Sequence, residues 1–144
     1  MAAVPQVKDH MSMRVVSVDA SDSVFNAADI IIRNNVGCVV ITEYGDLVGI
    51  VTKGDILKKS LLMLRDPKTT KVGSIMKRSP ITIESSASLE DAAKLMTEKN
   101  VSKLPVLDQS LLVGVISSTD IIRVAPEYLT YLRGLIEQKV ARPA

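Results

Sequence analysis

Two short stretches hold the residues best suited to chemistry: Gly49-Ile50-Val51-Thr52-Lys53-Gly54-Asp55 and Gly114-Val115-Ile116-Ser117-Ser118-Thr119-Asp120. Each starts as an apolar run after Gly, the pattern of a buried strand. Each ends on a hydroxyl residue with an aspartate three positions later, and an amphipathic stretch follows (Asp55–Lys59; Asp120–Arg123). The reading is strand, tight turn, helix start. The free N–H groups and positive dipole end of a helix N-terminus suit a phosphate. A hydroxyl there can add a bond to a phosphate oxygen. An aspartate one turn in can accept from both hydroxyls of a ribose, as acidic residues do in dinucleotide folds. The same residues also spell a helix capping box, with Asp in place of Glu. One copy alone favours the cap; the occurrence of two copies favours a ligand.

The composition narrows the classes of function. A chain of 144 residues, 47% apolar and 24% charged, is long enough for about one domain with a real core. A net charge of +2 does not call for a nucleic-acid partner, and one Phe, three Tyr and no Trp offer few platforms for stacking bases. Cys38 is the single cysteine, which excludes an internal disulfide and points to a reducing compartment. Its apolar neighbours suit a small buried residue better than a reactive thiol. With His10 the single histidine, a zinc-type metal site is not expected. No run reaches the length of a membrane span, and the first residues lack the apolar core of a signal peptide. A cytoplasmic protein is the expectation.

The elements that must position the two motifs come from an internal repeat. A shift of 65 residues lays Val7–Leu57 over Val72–Ile122 without a gap, and 13 of those 51 positions are identical, Met11, Asn35, Gly49 and Asp55 among them. Each copy opens with a short alternating segment (Val16-Ser17-Val18; Ile81-Thr82-Ile83), read as a half-buried strand. Small polar residues then suit an N-cap. A helix follows, with Val24, Ala27, Ala28 and Ile31, or Leu89, Ala92, Ala93 and Met96, on one stripe. Asn35 and Asn100 suit the helix C-termini. Strands over Gly37–Thr42 and Leu47–Val51, and over Lys103–Leu107 and Leu111–Ile116, are separated by turns short enough for hairpins. The unit is β-α-β-β-α. Its small sheet predicts that the copies bury a face on each other.

The polar connector 65–71 divides the copies, giving repeats at 7–64 and 72–125 and a tail at 126–144. Pro126 can start a tail helix with Leu129, Leu132 and Ile136 on one side, widened by Tyr128, Tyr131 and Leu135. That helix either packs on its own domain or joins Leu61, Leu62 and Leu64 in a dimer contact.

In order and spacing, the segments Met76–Ile83, Val101–Asp108 and Gly114–Ile122, with their counterparts one repeat earlier, resemble a pair of CBS domains, the Bateman module. The resemblance runs from Val7 to about Arg123. It implies an α+β fold of two β-α-β-β-α repeats packed sheet to sheet about a pseudo-twofold axis. It also implies clefts for adenosyl ligands (AMP, ADP, ATP, sometimes S-adenosylmethionine) and a flat dimer of two modules. Carried over by position, one site would use Ser117, Thr119 and Asp120 with Arg14, Val36, Gly37 and Cys38. The other would use Thr52 and Asp55 with Ser79, Val101, Ser102 and Lys103. Arg14, Lys58, Lys77, Arg78 and Arg123 would meet phosphates. Two departures bear on this. Val40 stands in the first copy where Pro105 stands in the second, and Lys103 sits where small residues are common near the base. The hydroxyl-rich Ser117-Ser118-Thr119 favours the Asp120 site.

The leading expectation is therefore a regulatory module that binds adenine nucleotide, forms a homodimer and passes its occupancy to a regulated protein. The alternatives are a dimeric scaffold with unoccupied clefts, whose Ser, Thr and Asp residues are only caps, or a module for S-adenosylmethionine. An enzyme is not expected: one His and one Cys allow almost no nucleophilic arrangement, and no Gly-rich phosphate loop ending in Lys-Ser/Thr occurs. No catalytic cofactor is implied. The basic end of the tail (Arg133, Lys139, Arg142) is diluted by Glu127 and Glu137, which argues against nucleic acid.

Overall fold

The computed structural model describes residues 4–139, with side chains described through residue 135. The side chains of Ile136 and Lys139, and Arg142 altogether, lie outside the described residues. The chain is α+β, with two small sheets and helices.

In the first unit, residues 15–80, β1 (Ser17–Asp19) runs parallel to β2 (Cys38–Glu43), and β2 forms an antiparallel hairpin with β3 (Asp46–Thr52). Between β1 and β2 lies α1 (Val24–Asn34), and β3 leads directly into α2 (Lys53–Ile56), which a π-helical turn, Leu57–Leu61, continues. A short strand β4 (Lys77–Arg78) pairs antiparallel with Gly49 and Ile50 of β3 and completes the sheet order β1-β2-β3-β4. The second unit, residues from 81 onward with those up to 14, repeats the pattern. There β5 (Ile83–Glu84) is parallel to β6 (Lys103–Asp108), β6 is antiparallel to β7 (Leu111–Ser117), and α3 (Leu89–Lys99) and α4 (Ser118–Val124) follow β5 and β7. The final helix, α5 (Leu129–Lys139), follows a 3-10 turn that starts at Pro126.

The helix ends follow the side chains expected for them. Ser23 and Ser88 accept from the N–H groups of Asn26 and Asp91, satisfying one orphan donor in each first turn. Asn35 and Asn100 close α1 and α3 in the left-handed region, at φ 52° and 55°. Both hairpins turn through two residues of positive φ, Tyr44-Gly45 and Gln109-Ser110, as the twist of two-residue hairpins requires. The second turn does so without glycine.

The compact units do not follow the linear repeat: each is completed by the segment that leads into the other copy. Val7 is fully buried in the core of α3 and β6, and its N–H donates to Ala87 O at 2.8 Å. Val72 is fully buried in the core of α1 and β2, and its N–H donates to Asp22 O at 2.7 Å. The exchange explains two of the identities in the repeat. Met76 packs so closely on Gly49 that a Cβ there would lie 2.4 Å from its sulfur, and Met11 does the same to Gly114 at 2.6 Å. Each leading segment carries a Met, and each β3 or β7 a Gly to receive it.

Two differences separate the units. In the first, Val40 N–H donates to Val16 O at 3.0 Å. Proline at 105 has no N–H to give, so β5 starts later than β1 and pairs with β6 only from Ile83. The second unit alone carries α5. Leu132 and Leu135 are buried in its core, so the inner stripe of the tail packs on its own domain. Tyr131 O–H donates to Glu90 at 3.0 Å, Lys94 lies over the Tyr131 ring, and Thr97 donates to the Tyr131 carbonyl. The hydrogen bonds from Lys94 and Tyr131 hold the Glu90 carboxyl below the usual carboxylate range.

Candidate functional site

The end of β3 and the end of β7 each turn into a helix through the same box. Thr52 Oγ1 accepts from the Asp55 N–H at 3.2 Å while Asp55 Oδ2 accepts from the Thr52 N–H at 2.9 Å. Ser117 Oγ accepts from the Asp120 N–H at 3.1 Å and Asp120 Oδ2 accepts from the Ser117 N–H at 2.9 Å. The capping role weighed from the sequence is thus real in both copies. It does not exhaust the aspartates. A carboxylate offers about four lone-pair sites on two oxygens, and the box engages Oδ2 alone.

The surroundings of the other oxygen differ. Asp55 Oδ1 lies 3.8 Å from Lys59 Nζ and 4.0 Å from Lys77 Nζ, and its side chain is only 5% exposed. Lys59 reaches this place because it stands one helical turn after Asp55, at i+4, and its ammonium also donates to Ile75 O at 3.2 Å. Lys77 arrives on β4, two residues along the pairing from Thr52. Asp120 Oδ1 lies 3.9 Å from Arg123 Nη1, and the Asp120 side chain is 24% exposed.

The residues assigned to the base lie beside the motif of their own unit. Gly37 O accepts from the Lys53 N–H at 3.3 Å, and Cys38, which is buried, is paired with Thr52 across the hairpin. Val36 is half-buried, its N–H bound to Ile31 O just past the cap of α1. In the second unit Ser102 O accepts from the Ser118 N–H at 2.9 Å, and Lys103 is paired with Ser117. Val101 and Lys103 are half-buried, and Thr119 is exposed on the first turn of α4. Ser79 follows β4 with φ 49°, and its N–H donates to Val48 O at 3.3 Å. Arg14 is exposed two residues after Ser12, whose backbone pairs with Val115 on β7. Thr52, Asp55, Val36, Gly37, Cys38 and Ser79 thus belong to the first unit, and Ser117, Thr119, Asp120, Arg14, Val101, Ser102 and Lys103 to the second, so the carry-over by position draws each site's base-facing residues from the unit that does not hold its aspartate. Sequence reasoning missed Lys59; its i+4 spacing from Asp55 was the signal.

Among the described residues no group of three or more His, Cys, Asp or Glu is placed to hold a metal ion, and no helix is long and apolar enough to cross a membrane.

Two β-α-β-β-α repeats, each ending its hairpin in a hydroxyl-x-x-Asp box, define the class. The sequence matches the CBS-domain family over residues 7–62 and 72–127, and the chain belongs to that family. It is 33% identical over 115 residues to the CBS domain-containing protein YhcV of Bacillus subtilis, covering 80% of this chain and 81% of that protein. It spans 52–66% of the length of four further curated relatives. Among solved structures it resembles the CBS domain pair of protein MJ0100 in complex with 5′-methylthioadenosine and S-adenosyl-L-methionine (TM-score 0.77, 31% identity, 87% of this chain and 98% of that one). It also resembles the hexameric CBS-CP12 protein of bloom-forming cyanobacteria (TM-score 0.79, 28% identity, 84% of this chain and 68% of that one).

Proposed function

We propose that this chain is a non-catalytic regulatory module that binds an adenine nucleotide and passes its occupancy to a partner protein. Asp55 and Asp120 accept from ribose hydroxyls, Thr52, Ser117 and Thr119 contact phosphate, and the residues at 36–38 and 101–103 face the base, with Ser79 and Arg14 at the rims. The observation that carries this reading is the doubled box. In each copy the cap uses one carboxylate oxygen and leaves the other facing cations, Lys59 and Lys77 at Asp55 and Arg123 at Asp120. Family membership supports it, since a related CBS pair was solved with adenosyl ligands. That relative also favours a second reading, S-adenosylmethionine as the ligand. Signalling would follow from a difference in affinity between two conformations of the module.

A ligand that binds only the folded chain raises its melting temperature by mass action. Saturating AMP, ADP, ATP and S-adenosylmethionine are tested in turn, and a rise with at least one is expected. No rise with any of the four would leave a scaffold whose aspartates serve only as caps.

We further infer a homodimer. Leu61, Leu62 and Leu64 are 61%, 73% and 93% exposed, and Leu57 and Met63 extend the patch. A second copy of the chain would cover this run, since an exposed apolar patch marks an interaction surface. Light scattering should give twice the chain mass, falling to one chain in Leu61→Glu/Leu62→Glu. A wild-type mass of one chain would exclude it.

A further inference from the structure

The cations around the two motifs are not distributed alike. Under the 65-residue shift, Lys53, Lys59, Lys77 and Arg78 of the first unit stand where the second has Ser118, Val124, Ser12 and Met13. In return the second unit has Arg14 and Lys103 where the first has Ser79 and Cys38. The excess lies where it matters. Two ammonium groups stand within 4.0 Å of the Asp55 carboxylate, which is 95% buried, against one guanidinium at 3.9 Å from the more open Asp120. Two cations on one carboxylate leave a positive charge uncompensated at that spot. Nothing in the second unit matches it.

We propose that the Thr52–Asp55 motif takes an adenosyl ligand bearing a di- or triphosphate, while the Ser117–Asp120 motif takes an adenosyl group bearing one phosphate or none. The inference rests on the reading that both motifs bind adenosyl ligands, and it adds which chemical class goes where. A polyphosphate carries three to four negative charges and needs neutralising cations close by. Lys59 and Lys77 supply them, and drawing their ammonium groups toward phosphate frees Asp55 Oδ1 for sugar hydroxyls. Lys59 also donates to the Ile75 carbonyl, which keeps its ammonium near the motif before a ligand arrives. The hydroxyls of Ser117, Ser118 and Thr119 can bind a single phosphate but bring no charge to balance three. A cationic substituent on the ribose has less to repel it beside the one guanidinium at Asp120 than beside the two ammonium groups at Asp55, and an uncharged one needs neither.

The test is calorimetric titration of the full chain with ATP and, separately, with 5′-methylthioadenosine, in wild type and in Lys59→Gln/Lys77→Gln. The double variant should weaken ATP at least tenfold and change 5′-methylthioadenosine less than twofold. ATP binding to the wild type should also weaken as salt rises, and 5′-methylthioadenosine binding should not. Should the double variant lose its fold, Lys77→Gln alone, half-exposed on β4, is read the same way with a threefold threshold. Wild-type binding of both ligands with ATP affinity unmoved by the lysine variants would overturn this division of ligands and leave adenosyl binding intact. Binding of neither ligand by the wild type would overturn the functional reading itself, and this inference with it.

Discussion

Residues 15–80 and the unit built on residues from 81 onward share a hairpin, a capped helix and a hydroxyl-x-x-Asp box, and they part in two places. The first unit surrounds its aspartate with lysines and buries it; the second leaves its aspartate open beside one arginine. The second unit also keeps a helix, α5, on its core that the first does not have. Backbone chemistry is therefore duplicated while charge and cover are not. A box repeated in geometry is what a shared cap requires. A box repeated in geometry but not in charge is what two different ligands would require.

The largest expected effect probes the cover. Leu132→Ala removes a fully buried side chain of α5 and should destabilise the second unit by about 2–5 kcal/mol, read by urea denaturation. A loss below about 1 kcal/mol would mean that α5 contributes little and that the asymmetry is superficial. Next comes the contrast between the aspartates. Asp120→Ala removes the hydrogen bond that Asp120 accepts from the Ser117 N–H and should cost about 1 kcal/mol. Asp55→Ala removes the matching bond from the Thr52 N–H and also the anion between Lys59 and Lys77, so its cost should be larger, about 2 kcal/mol. Equal costs would contradict the difference in surroundings.

A smaller effect separates the units by pH. Glu90 is held below its ordinary range by Lys94 and by the Tyr131 hydroxyl. Its folded value is lower than its unfolded one, so its contribution is complete above the unfolded value and is lost as pH falls through the folded value. Protection of the α5 amides, measured against their intrinsic exchange rates, should therefore fall in acid, and Glu90→Gln should remove that dependence; a pH-independent protection in the wild type would contradict the link. Last, Ser110→Gly relieves a non-glycine residue at φ 71° in the second hairpin and should stabilise by about 1 kcal/mol. At the equivalent position the first turn already has Gly45, at φ 83°.

Much of this was legible because it is local. The apolar stripes of α1 and α3, the serine and asparagine caps and the two hairpins are written in residues a few positions apart, and they stand where the spacing predicts them. The exchange of leading segments was not. Val7 and Val72 look like the first residues of their own copies, yet each is buried with the other copy's strands. Nothing in a linear repeat says which of two equivalent cores a segment joins. The consequence of Pro105 for β5 needed the register of β5 against β6 before a missing N–H could be located. The tail was ambiguous for a related reason: a wide apolar sector states that it must be covered, not by what, and the core beneath Leu132 and Leu135 decides it. For the site, the spacing exposed both boxes, and the charge around Asp55 came into view only when β4 carried Lys77 to it.

The most direct test of the central claim is calorimetric titration of AMP, ADP, ATP and S-adenosylmethionine into the wild type and into Asp55→Ala/Asp120→Ala, with the variant's fold verified by circular dichroism. Binding of at least one ligand to the wild type at micromolar strength, about 8 kcal/mol, and its loss in the folded double variant are the predicted results. Ligand affinity unchanged by the double substitution would contradict the claim that these two carboxylates hold the ligand.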